Sequence, residues 1–259
     1  MIYDYNGNLI GVDFLNSCQL TTGIHEGTFY YALRIFKKKT DGANQFPFVV
    51  AANGTSASDK TALDYALSND LLIVINSGLG RQSGGSYTPM GVIIQDGQVI
   101  QDEQVAYRPL TIDGNGDLGT APAETTASEL LSDGAVSAIC AFGPIVENYL
   151  AVDQDDYPSV SWSANAQRQI IGQYANGDYA IITCEGRGYD NSVGWTIPQA
   201  QSLLISKNIK FAYNLDGGGS TETVVGKKQL NTIYEGTTGR KVCSFIVFNG
   251  STTFSVPQV

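Results

Sequence analysis

Apolar residues fall mostly in short runs of four to eight, at 29–36, 46–51, 71–75, 91–94, 138–142, 179–184, 211–215 and 242–248. These runs are rich in Val, Ile, Phe and Tyr, and glycines mark the turns between them, so the pattern predicts strands. Three segments read as helices. Ser56 and Asp59 have capping-box spacing ahead of a stripe of Ala62, Leu63, Ala66 and Leu67. Thr126 and Glu129 repeat the device before Leu130 and Leu131, with Gly134 as the stop. Thr196 and Gln199 repeat it again, with Pro198 tolerated in the first turn and Ala200, Leu203 and Leu204 on the buried face. A strand follows each helix: LLIVIN, VSAICAF and KFAYNL. Helix-then-strand units among many other strands predict an α+β (mixed α/β) layer fold with mixed twisted sheets and three helices. No Pro- or Ser-rich linker divides the chain, so it reads as one domain.

A chain of 259 residues can bury a core that needs no metal or disulfide staple. Its 25 acidic and 15 basic residues leave a net charge of −10 and a pI near 4.4. Such a surface repels phosphate backbones, so nucleic acid is not an expected partner, and an anionic substrate needs a local arginine pocket. No run of eighteen apolar residues predicts a membrane span. The opening MIYDYNGNLIGVDF lacks the basic and then apolar sections of a secretory signal, so no signal peptide is expected.

Candidate chemistry narrows quickly. Cys18, Cys140, Cys184 and Cys243 form no CxxC pair, and the last three sit in apolar runs, which predicts buried free thiols. His25 is the single histidine, and its setting, TTGIHEGTFYY, carries no nucleophile motif, so Ser-His-Asp and Cys-His catalysis are disfavoured. In TIDGNGDLGTAPAETT, Asp113, Asn115, Asp117 and Glu124 match EF-hand positions 1, 3, 5 and 12. Leu118 stands where that loop requires glycine, so a solvated hairpin is the expectation.

The most informative passage is KFAYNLDGGGSTETVV, residues 210–225. An apolar strand runs into Asn214 and Asp216, then Gly217, Gly218 and Gly219, then Ser220 and Thr221. Polar groups at the end of a buried strand lie where ligands bind in layered sheets containing parallel strands. Glycines let a ligand approach backbone amides, and two hydroxyls add donors for an oxyanion. Asp216 beside such a cradle suits a base, a nucleophile or a metal ligand. A plain glycine loop with an Asx-type turn is the alternative.

NLDGGGST resembles the signature of the phosphodiester glycosidase family. That family includes an enzyme removing N-acetylglucosamine from a sugar phosphodiester, and many bacterial and phage proteins. TALDYALSNDLLIVINSG resembles the family's helix and strand ending in Asn-Gly-Gly. PMGVIIQDGQVI resembles its next hairpin, and AFGPIVENY its Gly-Pro strand. RQIIGQYANGDYAIITCEGRGYDNSVGWT is similar to its run from Arg to Gly-Trp-Thr. The likeness extends roughly over residues 28–250, leaving 1–27 as an N-terminal strand-and-turn extension and 251–259 as a C-terminal tail. Two departures stand out. INSGLG has Ser77 in place of a second glycine and Leu79-Gly80 in place of two phenylalanines, and Glu185 replaces the commoner aspartate.

The resemblance implies hydrolysis of a sugar-1-phosphodiester in a glycan or wall-type polymer, with the phosphate as a good leaving group that needs little protonation. It implies Asp216 as the essential carboxylate, with Glu185 and Asp190 as further candidates. Arg168, Arg187 and Arg240 lie in matching motifs and are the candidate phosphate ligands. Asn76 and Asn214 end two strands and are candidates for sugar or phosphate contacts, with turn chemistry as the alternative. Ser220, Thr221 and the amides of Gly217, Gly218 and Gly219 are the expected anion cradle, and Tyr189 and Trp195 are candidate sugar platforms. No cofactor or metal is implied; a divalent cation is compatible but not indicated. The alternative is a non-catalytic carbohydrate-binding or phage tail module that keeps the pocket. The expected setting is a virion acting outside the host, or the bacterial cytoplasm.

Overall fold

The strands Ile73–Asn76, Tyr179–Cys184 and Ser244–Phe248 are buried at every position rather than at alternate ones. Such burial requires cover on both faces of a sheet, and the computed structural model, which describes residues 2–3, 9–10, 17–39, 42–157, 161–233 and 239–248, shows what supplies it. Three sheets surround a common core. The largest has the order Leu150–Ala151, Gly143–Glu147, Phe211–Asn214, Gln169–Gln173, Tyr179–Cys184, Thr28–Ile35, Cys18–His25. The second runs Lys228–Gln229, Thr223–Val225, Ile73–Asn76, Ser244–Phe248, Pro47–Ala51, and the third Gln98–Gln101, Ile93–Gln95, Ala135–Ile139, Leu110–Asp113, Leu118–Thr120. Their inner faces contribute Leu33, Ile181 and Tyr213, then Ile75 and Ile246, then Ile112 and Ile139, to one cluster.

Each outer face carries one helix. Helix α1 (Ala62–Asn69) lays Ala62 and Ala66 on Val74, Val224 and Phe245 of the second sheet. Helix α2 (Ala127–Ser132) lays Ala127 and Leu130 on Ile94 and Ala138 of the third. Helix α3 (Ile197–Ser206) packs Ala200 and Leu204 on Ile170, Ile182 and Ala212 of the largest. The fold is therefore α+β, dominated by sheet, with three helices among the described residues. Its strand ladders among the described residues are all antiparallel, where mixed sheets were expected. Continuous apolar runs imitate parallel strands here because core and helix cover opposite faces of the same sheet.

The second and third helices start where the sequence places them, on Thr126–Glu129 and Thr196–Gln199 capping boxes. The first starts later than Ser56. Its box is Thr61 and Asp64, with Asp64 N–H donating to Thr61 Oγ1 at 3.1 Å. The intervening residues are held extended: Ser58 N–H donates to the Tyr87 carbonyl, and Lys60 bridges to Val242. That pairing postpones the helix.

The boundary expected after residue 27 falls inside a hairpin, because Cys18–His25 pairs along its length with Thr28–Ile35 and Cys18 enters the core. The tail 251–259 lies outside the described residues, as do 4–8 and 11–16 of the expected extension. Residues 110–120 form the expected hairpin, exposed at 114 and 115 but with Leu110, Ile112 and Leu118 in the core, and Asp113 Oδ1 accepts the Asn115 and Asp117 amides at 2.8 Å each. Among the described residues no group of three His, Cys, Asp or Glu side chains is placed to hold a metal, and no helix is long and apolar enough to cross a membrane. All four thiols are buried and free. His25 Nε2 lies 3.0 Å from the Gln199 carbonyl and 2.9 Å from Ser202 Oγ, which docks α3.

Thr61→Ala is expected to cost about 1 kcal/mol in denaturant unfolding, the usual worth of an N-cap, whereas Ser56→Ala leaves the midpoint unchanged.

Candidate active site

Strand Gln169–Gln173 pairs antiparallel with Tyr179–Cys184 on one side and with Phe211–Asn214 on the other. Two strands flanking a common antiparallel partner run in the same direction, so both deliver their C-terminal residues to one end of the sheet. Glu185 and Asp216 therefore emerge on either side of the segment that begins the central strand, Gln167 and Arg168. The second sheet joins there, where the Asp216 amide donates to the Ser77 carbonyl at 2.9 Å and the Asn76 amide to the Glu222 carbonyl at 3.1 Å.

The residues after Asp216 make a single 3-10 turn, Gly218–Ser220. Gly217 allows close approach: a Cβ there would stand 2.7 Å from the Gln167 carbonyl oxygen. Gly218 has φ +58°, which disfavours a side chain, and its amide donates to that same carbonyl at 2.9 Å. The turn brings Ser220 back to Asp216. Arg240 Nη1 donates to Ser220 Oγ at 3.0 Å, and the Ser220 side chain favours the ionised form of Asp216. Arg187 approaches from the other side, its Nη2 3.7 Å from where a Gly218 Cβ would lie. Burial pushes the Asp216 carboxyl up to about 6, against the pull of Ser220, the Gly217 amide and Arg240.

The anion cradle is narrower than its sequence suggests. Gly217 N–H donates to Asp216 Oδ1 at 2.9 Å and Gly218 N–H to Gln167, so only the Gly219 amide lacks an acceptor among the described residues. Glu185 is fully buried. Its Oε1 accepts the Thr232 amide at 2.9 Å, its Oε2 has no partner among the described residues, and burial pushes it up to about 7. Other buried polar atoms without partners gather nearby, on Gln167, Gln169, Asn214 and Thr221. Such a concentration is characteristic of a functional site rather than a core.

Several expected ligands are used for structure instead. The Arg168 side chain is 2% exposed and turned to backbone. Nε donates to the Trp195 carbonyl at 2.8 Å, and Nη2 to the Ser161 and Ala164 carbonyls at 2.9 and 2.6 Å. An arginine committed to three carbonyls braces the chain and offers the phosphate little. Asn76 is equally spent: Nδ2 donates to the Asp216 carbonyl at 2.7 Å and Oδ1 accepts the Glu222 amide at 2.9 Å. Asn214 Nδ2 donates to Tyr157 Oη at 2.8 Å. Trp195 is wholly buried, its Nε1 donating to the His25 carbonyl, so it is core and no sugar platform. Tyr189 is half-buried in the short turn Tyr189–Asn191, and the side chain of Asp190 lies outside the described residues. Ser77 is buried and its hydroxyl bonds Ser244 Oγ at 2.9 Å, so the altered INSGLG segment is absorbed inside the protein.

Two residues go unrecognised in the sequence reading. Gln167 is wedged under both glycines that follow the carboxylates, its Cγ 2.9 Å from a Gly186 Cβ position. Glu222 sits beneath the site with Oε2 accepting the Ala62 amide of α1 at 2.5 Å, and burial pushes it up to about 8. Its signal was a carboxylate directly after the hydroxyl pair and directly before the buried strand Thr223–Val225.

The profile of the family described as phosphodiester glycosidase matches residues 69–249. An SPbeta prophage-derived uncharacterized protein, YomE, of Bacillus subtilis (strain 168) is 29% identical over 234 residues, covering 81% of this chain. The chain spans 35% of that relative's length. The catalytic domain of zebrafish N-acetylglucosamine-1-phosphodiester alpha-N-acetylglucosaminidase, auto-inhibited by its pro-peptide, superposes with a TM-score of 0.69 at 13% identity, over 96% of this chain and 87% of that one. A hypothetical protein from Synechocystis superposes equally well, TM-score 0.69 at 12% identity, over 89% and 61% of the two chains.

Arg168→Gln is expected to lower unfolding stability by about 3 kcal/mol, since hydrogen bonds to a buried charged group are worth 1.5–3 kcal/mol each. Glu222 generates a pH slope. Its folded pKa is raised, so its contribution is fully present below about 4.5 and is lost as pH rises through about 8. Glu222→Gln should therefore match the wild type in thermal midpoint at pH 4.5 and exceed it at pH 8.

Proposed function

The chain belongs to the phosphodiester glycosidase family, and from that premise we propose that it hydrolyses a sugar-1-phosphodiester within a glycan or wall-type polymer. The observation that carries the reading is the turn uniting Asp216, Ser220 and Arg240, with Arg187 alongside. In this mechanism the bond between the anomeric carbon and the phosphate oxygen breaks, and the electron pair leaves with the phosphate. Arg240 and Arg187 hold the phosphate oxygens and offset the charge of the leaving phosphomonoester. Water supplies the new oxygen on the anomeric carbon, and ionised Asp216 takes its proton. Ser220 fixes the carboxylate and relays the field of Arg240 to it. Glu185 acts as a positioning residue, holding the 231–232 segment against the site through Thr232.

Similarity to a prophage-derived protein supports a phage setting, in which the chain meets a sugar-phosphate polymer outside its host. The rival reading is a binding module without turnover. It gains support from the commitment of Arg168 and Asn76 to backbone contacts.

The test is release of sugar from the methyl phosphodiester of N-acetylglucosamine-1-phosphate and from related sugar-1-phosphodiesters. Asp216→Asn should reduce kcat about 10²–10⁴-fold, the range of a general base, with little change in KM. For the wild type, kcat/KM should rise as pH increases through about 6, because the working form of Asp216 is ionised. Binding of these compounds without turnover by the wild type would establish the rival.

A further inference from the structure

A cleft of about 410 Å³ adjoins the turn just described. It lies between the segment at Ser58, the hairpin end at Ser86 and Tyr87, and the run Gly239, Arg240, Lys241. The walls are tied together, since Ser58 N–H donates to the Tyr87 carbonyl at 2.7 Å and Val242 N–H to the Lys60 carbonyl at 3.0 Å. Arg240 belongs to both places. Its Nη1 reaches Ser220 on the Asp216 side, while its Cζ stacks 4.9 Å from the centre of the Tyr87 ring on the cleft side. Stacking on an aromatic face fixes the plane of a guanidinium and adds cation–π attraction.

The charge of the cleft is opposite to that of the molecule. The protein carries a net −10, yet among the described residues the lining includes Arg240 and Lys241 and no carboxylate. Lys241 is exposed. A buried acid, Glu222, lies beneath the floor at Gly239, where any Cβ would collide with its Oε1 at 2.2 Å. Burial raises it to about 8, which keeps it largely protonated at pH 7. Hydroxyls of Ser58 and Ser86 complete a lining suited to phosphate and sugar oxygens.

We propose that this cleft is the subsite for the next phosphate-bearing unit of a sugar-phosphate polymer, on the leaving-group side of the scissile bond. The inference rests on the hydrolytic reading above for its direction. Arg240 holds the scissile phosphate, the phosphate heads the leaving group, and the chain beyond it therefore runs past Arg240 toward Tyr87 and Lys241. The volume suits one sugar phosphate. The substrate class that follows is a polymer with repeated anionic linkages, rather than a small diester.

The test separates this subsite from turnover by using the Asp216→Asn protein, full length, in equilibrium titrations at about 50 mM salt, where screening is modest. The probes are a synthetic trimer of N-acetylglucosamine-1-phosphate joined by phosphodiesters and the single methyl diester. The trimer should bind more tightly than the methyl diester. Adding Lys241→Glu should weaken trimer binding about tenfold, as expected for reversing one exposed charge beside an anion, and leave the methyl diester within about twofold. Lys241→Gln should give an intermediate loss, and raising salt should erase the differences. Equal affinity for trimer and methyl diester, no trimer binding, or equal weakening of both probes by Lys241→Glu would overturn the subsite. Absence of wild-type turnover together with the predicted trimer preference would overturn the hydrolytic reading and leave the subsite standing.

Discussion

Antiparallel pairing of Gln169–Gln173 with a neighbour on each edge is the constraint on which the rest of the site depends. Because both neighbours must oppose the same central strand, they must agree with one another, and their ends arrive together. Glu185 and Asp216, 31 positions apart in the chain, are brought to the same end of one sheet by this geometry. Gln167, at the head of the central strand, then fills the gap between the glycines that follow each carboxylate. The ladder positions the chemistry.

Helices on the three outer faces make that placement rigid. Each covers one sheet with small residues, Ala62 and Ala66, Ala127, or Ala200, so the strands beneath are closed to water on both sides. Closure has an electrostatic consequence at the strand ends. Carboxylates there leave water without leaving the protein's edge, and Asp216, Glu185 and Glu222 are all raised by desolvation before any neighbouring charge acts. Arg240 pulls against that rise at both Asp216 and Glu222, and Ser220 adds to it at Asp216. Asp216, at about 6, ionises first, ahead of Glu185 at about 7 and Glu222 at about 8, a graded separation of the kind acid–base sites use.

The arginines show how motif and role separate. Arg168 and Arg240 are both arginines in recognisable motifs near the same turn, yet one is buried against three carbonyls and the other bridges a hydroxyl and an aromatic ring. A guanidinium satisfies either task because its five donors serve carbonyl and phosphate oxygens alike. Burial decides between them: deep in the sheet end the donors must be paid to backbone, and at the rim they face the cleft.

Much was legible in the residues themselves. Short β-branched runs, three capping motifs of which two mark true helix starts, buried thiols, a lone histidine without a nucleophile motif and the Asp-Gly-Gly-Gly-Ser turn all depend on local preferences that a few neighbouring positions determine. The turn's closeness to Gln167, the docking of Arg240 on Ser220, the withdrawal of Arg168, Asn76 and Trp195 into structure, and the buried Glu222 were settled only by tertiary contacts. Those contacts join segments tens of residues apart, and the same side chain has the same sequence signature whether its donors meet backbone or face a ligand. Strand direction belongs to this second class as well, because an apolar run records that both faces are covered and carries no record of which way its neighbours run.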